Sequence, residues 1–155
     1  MELLLKLLHI SAVIAFLGNV TTGLFWHAHA VRTRDPKLLA HTMDGIIRSD
    51  RLFTVPGVIL ITVAGLAAAI HKGLPIIGTK WIFYTIILFS ISGIAFSYRL
   101  VPLQRQLRAL AREGAAAATF DFSRYHALAR RWELWGAFAL LTPLAGLVLM
   151  VLKPS

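Results

Sequence analysis

The 155-residue sequence contains no cysteine. A disulfide scaffold, a thiolate zinc site, an iron–sulfur cluster and thiol catalysis are therefore excluded. Charge is scarce too. Asp, Glu, Lys and Arg make up 15% of the residues, against roughly 25% in soluble domains. Acidic residues are fewest, 7 against 16 Lys and Arg, leaving a formal net charge of +9. No P-loop, GxSxG, HExxH or glycine-rich dinucleotide fingerprint occurs. No carboxylate falls in the middle of an apolar run, so a transmembrane proton relay lacks its usual parts. What is present is apolar side chain, 57% of the sequence, more than a soluble domain of this size can hide.

Four apolar stretches cover about residues 3–31, 52–70, 81–98 and 132–152. Each is near the ~20 residues a helix needs to cross the hydrocarbon. Lipid offers no partner for free backbone groups, so the spans must be helices. The expected fold is all-α: one transmembrane domain over 1–155, a membrane four-helix bundle. The first stretch is too long for a signal peptide, and Glu2 spoils the usual positive start. It reads as a retained helix.

The basic residues sort by loop. Twelve lie between spans one and two (Arg32, Arg34, Lys37, Arg48, Arg51) or three and four (Arg99, Arg105, Arg108, Arg112, Arg124, Arg130, Arg131). Lys6, Lys72, Lys80 and Lys153 lie on the other side. The positive-inside rule predicts cytoplasmic long loops and an N-out/C-out topology. The net charge then needs no nucleic acid; membrane lipids suffice as partners.

Both long loops carry helical patterns. Asp35-Pro36 reads as an N-cap with proline at the first helical position. Leu38, Leu39, Met43, Ile46 and Ile47 predict an amphipathic helix lying on the membrane and leading into span two. Span three is expected to continue past Pro102 through Leu103, Leu107 and Leu110. Gly114 to Thr119 reads as a small-residue linker, after which Asp121 or Ser123 can cap a helix running into span four. Thr142-Pro143 is expected to kink that span.

Ionisable groups inside spans are costly and mark candidate sites. His9 is the sharpest. His27 lies eighteen residues on, five helical turns, and so shares its face. Antiparallel packing brings His9, His71, Lys80 and Met150 to roughly one depth. Four-helix bundles build cofactor sites between facing helices. A haem takes an axial His, with His or Met as an option opposite, and these residue types suit it better than a hard metal. The plainer reading has Lys80 and His71 marking an interface, Met150 packing, and His9 bonded to a neighbouring helix. His27 and His29 point to nearly opposite faces. With His41 or His126 they suggest a second site, or simply an interface among head groups. At the starts of spans two and four, Asp50 and Glu133 sit among Arg48, Arg51 and Arg131. That pattern predicts inter-helix ion pairs, or an anion site for a lipid or a propionate. Asn19, Thr21 and Thr22 with Gly18 and Gly23 let helices approach closely.

The opening Leu5-Lys6-Leu7-Leu8-His9-Ile10, Arg48-Ser49-Asp50-Arg51 with Phe53 and Pro56, Lys80-Trp81, Pro102, Arg131-Trp132 and the closing Met150 to Pro154 follow one another over nearly the whole chain. In that order they resemble a bacterial family of short four-helix integral membrane proteins described only as a domain of unknown function. More distantly, the chain is similar to the four-helix protoporphyrinogen oxidases and the copper-resistance membrane proteins. In the oxidases a first-helix histidine binds haem b and a third-helix lysine is needed for activity. That resemblance implies haem b on His9 and a role for Lys80, in the bacterial inner membrane.

Three functions follow as expectations. The first is a haem-b protein in electron transfer or tetrapyrrole redox chemistry, with a membrane redox partner. The second is a non-enzymatic assembly or lipid-binding module. The third is a transporter for a metal or small solute, which four helices could form only as a homo-oligomer.

Overall fold

The computed structural model describes residues 1–117 and 119–154. It contains six α-helices: α1 Glu2–Val31, α2 Pro36–Ser49, α3 Val55–His71, α4 Lys80–Ala95, α5 Val101–Ala116 and α6 Phe122–Leu152. Two π-helical turns, Asp50–Thr54 and Phe96–Leu100, join α2 to α3 and α4 to α5 without a break. Four rods result, of 30, 36, 37 and 31 residues, each long and apolar enough to cross a membrane. At 1.5 Å per residue the two longest reach roughly 54 Å, well beyond a ~30 Å hydrocarbon core. The excess lies at the arginine-rich end, opposite the end that holds both termini.

Proline explains the π turns. Val55-Pro56 and Val101-Pro102 follow them directly. A proline inside a helix lacks the N–H for the carbonyl four residues back and collides with it. Here the preceding valines bond one residue further back, Val55 N–H to Asp50 O and Val101 N–H to Phe96 O. The widened turn absorbs the proline and keeps the rod continuous. Pro143 is handled differently. It sits inside α6 and frees the Ala139 carbonyl, which accepts the Ser92 hydroxyl proton at 2.6 Å. Helix α4 thus satisfies the backbone group that the proline exposes.

Asp35 caps α2 as the sequence predicts, accepting from Lys37 N–H at 2.9 Å. Asp121 caps α6, accepting from Arg124 N–H at 3.0 Å. Gly73, at φ +66°, ends α3: its own N–H reaches Ile70 O and that of Leu74 reaches Ala69 O. This double bond pattern needs a left-handed residue, where glycine has no Cβ to clash. The linker expected from Gly114 is partly helical, since α5 runs to Ala116; Ala118 lies outside the described residues.

The amphipathic helix α2 does not lie with its apolar face on lipid. Its Leu39, Ala40, Met43 and Ile46 are buried. They join Leu107 and Ala111 of α5 and Tyr125, Ala129 and Trp132 of α6 in one core. The helices of both long connections therefore extend the bundle, because packing on one another buries those stripes more completely than a membrane surface does. In the apolar half, α1 packs on α3 and α4 on α6. No Cα of α3 comes within 8 Å of one in α4 or α6, so the two pairs stand apart there. Phe16 and Phe89 bridge them edge to face, centroids 5.7 Å apart.

Candidate functional site

The first π turn places two side chains inward. Asp50 is 8% exposed and Thr54 1%. The Thr54 hydroxyl donates to Asp50 Oδ1 at 2.7 Å. From α1, Asn19 Nδ2 donates to the same Oδ1 at 3.1 Å and to Thr54 Oγ1 at 2.9 Å. From α5, Gln104 Nε2 donates to Asp50 Oδ2 at 2.8 Å. One carboxyl group thus collects neutral donors from three elements. Its expected arginine partners are elsewhere. Arg48 and Arg51 are exposed, because positions two before and one after Asp50 project away from its face. Neutral amides can enter the bundle at a smaller desolvation cost than a guanidinium.

This cluster forms the polar wall of a cavity of about 260 Å³. The other walls are mainly apolar, among them Phe16, Val20, Leu24, Val58, Phe89 and Phe96. Trp132 and Gly136 of α6 also line it. The cavity lies where the two helix pairs diverge, with residues of both π turns on its boundary.

A second polar group lies beside it. His27 is fully buried. Its Nδ1 stands 3.2 Å from Glu133 Oε1 and its Nε2 3.1 Å from the Tyr125 hydroxyl. A carboxylate only accepts, so Nδ1 donates to Glu133, while Nε2 shares a hydrogen bond with the Tyr125 hydroxyl. Tyr125 lies on the part of α6 that precedes the span. Burial, and then the Glu133 carboxylate, push its phenol above the ordinary value, which keeps it a hydroxyl. The Trp132 ring meets His27 edge to face at 4.8 Å. His27 therefore does not lie among head groups, and Glu133 pairs with a histidine rather than with exposed Arg131. Its neighbours Trp26 and His29 do lie at the surface, on the opposite side of the same helix. His41 and His126 are exposed. Among the described residues no group of three or more His, Asp or Glu is placed to hold a metal ion.

The four residues expected at one depth sit at the end that holds the termini. His9 is half-buried, and its Nδ1 lies 2.9 Å from the Ile61 carbonyl of α3. Only glycine fits opposite it: a Cβ on Gly65 would come within 2.9 Å of the imidazole. His71 and Lys80 are exposed and Met150 is half-buried. No hydrogen bond or ion pair among the described residues joins any two of the four. At that end Lys72 pairs with Glu2 at 2.9 Å, and Lys153 lies over Trp81 at 5.7 Å.

Four apolar rods, prolines absorbed within them and polar side chains turned inward define a multi-pass, all-helical integral membrane protein. Residues 3–154 match the family described as "Predicted integral membrane protein (DUF2269)", and the chain belongs to that family. No curated protein and no solved structure matches it.

Proposed function

We propose that this protein is a membrane-embedded binding module that takes a small membrane-dissolved molecule into the cavity between its helix pairs. The supporting observation is the cavity itself: about 260 Å³ of mainly apolar space with Asp50, Asn19, Thr54 and Gln104 on one side. Apolar walls with a few convergent polar groups are the usual make-up of a ligand site. Buried polar side chains within a span are costly, and a functional site accounts for that cost. Gly93 offers a test, because it lines the cavity and a Cβ there meets nothing within 4 Å. Gly93→Leu should fill the space and leave the fold intact. Mass spectrometry of organic extracts should find a lipophile enriched on the wild-type protein and depleted on Gly93→Leu. Identical extracts would sink the proposal.

His9 supports a second reading, haem b at the end that holds the termini. Its Nδ1–H donates to the Ile61 carbonyl, and Nε2 takes no part in that bond. Ligating histidines are commonly oriented by such a bond. A tetrapyrrole is too large for the cavity at the π turns, given that roughly 150 Å³ holds one benzene ring. This reading therefore uses the other end, where His71, Lys80 and Met150 also lie. Haem would supply one-electron chemistry; His9 would hold the iron and Gly65 would seat the imidazole. Protein produced with ample haem should show a Soret band that His9→Ala weakens. A colourless wild-type protein would exclude it.

A further inference from the structure

We infer that Arg99, Arg131 and Trp135 bind the headgroup phosphate of an anionic phospholipid, where the seam between α4 and α6 leaves the hydrocarbon. Four contacts tie that seam from end to end. Lys153 lies over Trp81 at 5.7 Å, and Arg99 lies over Trp135 at 5.3 Å. Between them the Thr85 hydroxyl donates to Gly146 O at 3.3 Å and that of Ser92 to Ala139 O at 2.6 Å. Trp81 and Arg99 are eighteen residues apart on one rod, and Trp135 and Lys153 are eighteen apart on the other. Five helical turns span roughly 27 Å, close to the ~30 Å hydrocarbon core. No charged residue falls between them on either rod. Tryptophan and basic residues gather at the two edges of a bilayer. The Lys153–Trp81 pair therefore stands at one edge and the Arg99–Trp135 pair at the other.

The chemistry at this second edge suits a phosphate. A guanidinium stacked on a ring gives its face to the aromatic and keeps its in-plane N–H donors for an oxygen ligand. No side-chain hydrogen bond or ion pair among the described residues engages Arg99 or Arg131. Arg131 is exposed and lies one turn before Trp135, on the same face of α6. The stack already orders Arg99, so less freedom is lost when a ligand binds. Two arginines without an acidic partner select a net negative headgroup. A choline or ethanolamine cation would meet them with no carboxylate to balance it. The acidic residues of these two rods are Glu113, fourteen residues beyond Arg99, and Glu133, which is turned to His27 of α1. On the hydrocarbon side Phe138 is exposed and meets the Trp135 ring edge to face at 5.8 Å, which offers apolar surface to an acyl chain. Arg124 is exposed as well, but it lies eleven residues before Trp135, roughly 16 Å farther from the hydrocarbon. The site shares no residue with the cavity.

Two lipids of one chain composition test this. Native mass spectrometry of the detergent-solubilised protein, titrated with dioleoyl phosphatidylglycerol or dioleoyl phosphatidylcholine, gives the affinity for the first lipid bound. Phosphatidylglycerol should bind the wild type about five-fold more tightly, the weight of one basic residue near an anionic surface. Arg99→Gln and Arg131→Gln should each weaken phosphatidylglycerol by about five-fold, and Arg124→Gln, which removes the same charge, by less than about two-fold. Arg131→Gln leaves the stack in place and serves by itself if the Arg99 variant does not fold. Equal binding of the two lipids to the wild type overturns the inference. So does a loss in Arg124→Gln as large as that in Arg99→Gln, because binding then follows the net charge of that end rather than a site. Unchanged phosphatidylglycerol affinity in both Arg99→Gln and Arg131→Gln overturns it as well.

Discussion

The two ends of this bundle are built by different rules. At the arginine-rich end Leu39, Met43, Leu107 and Tyr125 are completely buried, and one core draws on all four rods. Toward the termini the main buried cluster is Ala12, Phe16 and Ile61. Leu3, Ile14, Val63 and Leu152 there are all largely exposed. Water drives apolar stripes together at the first end. Lipid gives no such drive at the second, where close packing and hydrogen bonds must hold the helices. Accordingly, His9 bonds to Ile61 O, Ser92 to Ala139 O, and Thr85 to Gly146 O. The cavity lies at the seam, where a bundle held by core packing becomes two helix pairs.

Leu107→Ala attacks the packed end and should have the largest effect. It should cost about 2–5 kcal/mol, as for a fully buried leucine. Ile94→Ala, at a position 59% exposed in the apolar half, should stay within about 0.5 kcal/mol. Denaturant titration in mixed micelles measures both, and equal losses would erase the contrast. Asp50→Ala attacks the seam. It strands donors of Asn19, Thr54 and Gln104 and should cost about 3 kcal/mol; Asp50→Asn should recover part of that. A loss no larger than that of an exposed carboxylate such as Glu113 would remove the seam as a structural centre.

Ser92→Ala probes the lipid-side rule. It leaves the Ala139 carbonyl, already freed by Pro143, without a partner and should cost about 1–2 kcal/mol. Thr62→Ala removes only a bond within its own helix to Val58 O and should be near neutral. Matching values for the two would show that inter-helix hydrogen bonds do not hold the pairs. Smallest is Asp35→Ala, which removes the α2 cap and should cost about 1 kcal/mol. Amide exchange should rise in the first turn of α2 and leave α3 unchanged, since the π turn separates them.

The spans, the Asp35 cap and the helix continuing past Pro102 were legible because each depends on local chemistry. Hydropathy, a capping side chain and a helical repeat need no knowledge of neighbours. Partners were harder to read. His27 looks like an interface residue beside Trp26 and His29, yet one helix face separates it from them. Asp50 invites an arginine because Arg48 and Arg51 adjoin it in sequence. Its actual partners Asn19 and Gln104 are 31 and 54 positions away. The signal that could have found them is the depth of Asn19 on α1 and of Gln104 on the polar-to-apolar boundary of α5.

From composition and periodicity alone, the chain had to be four apolar helices with its charge gathered at one end. Backbone groups in lipid have no other way to be satisfied. Which face of α2 would meet protein rather than lipid was decided only by the tertiary structure. So were the prolines that became π turns, and the polar residues that closed around Asp50. Those outcomes turn on which side chains other helices bring within about 3 Å, a distance that no single stretch of sequence contains.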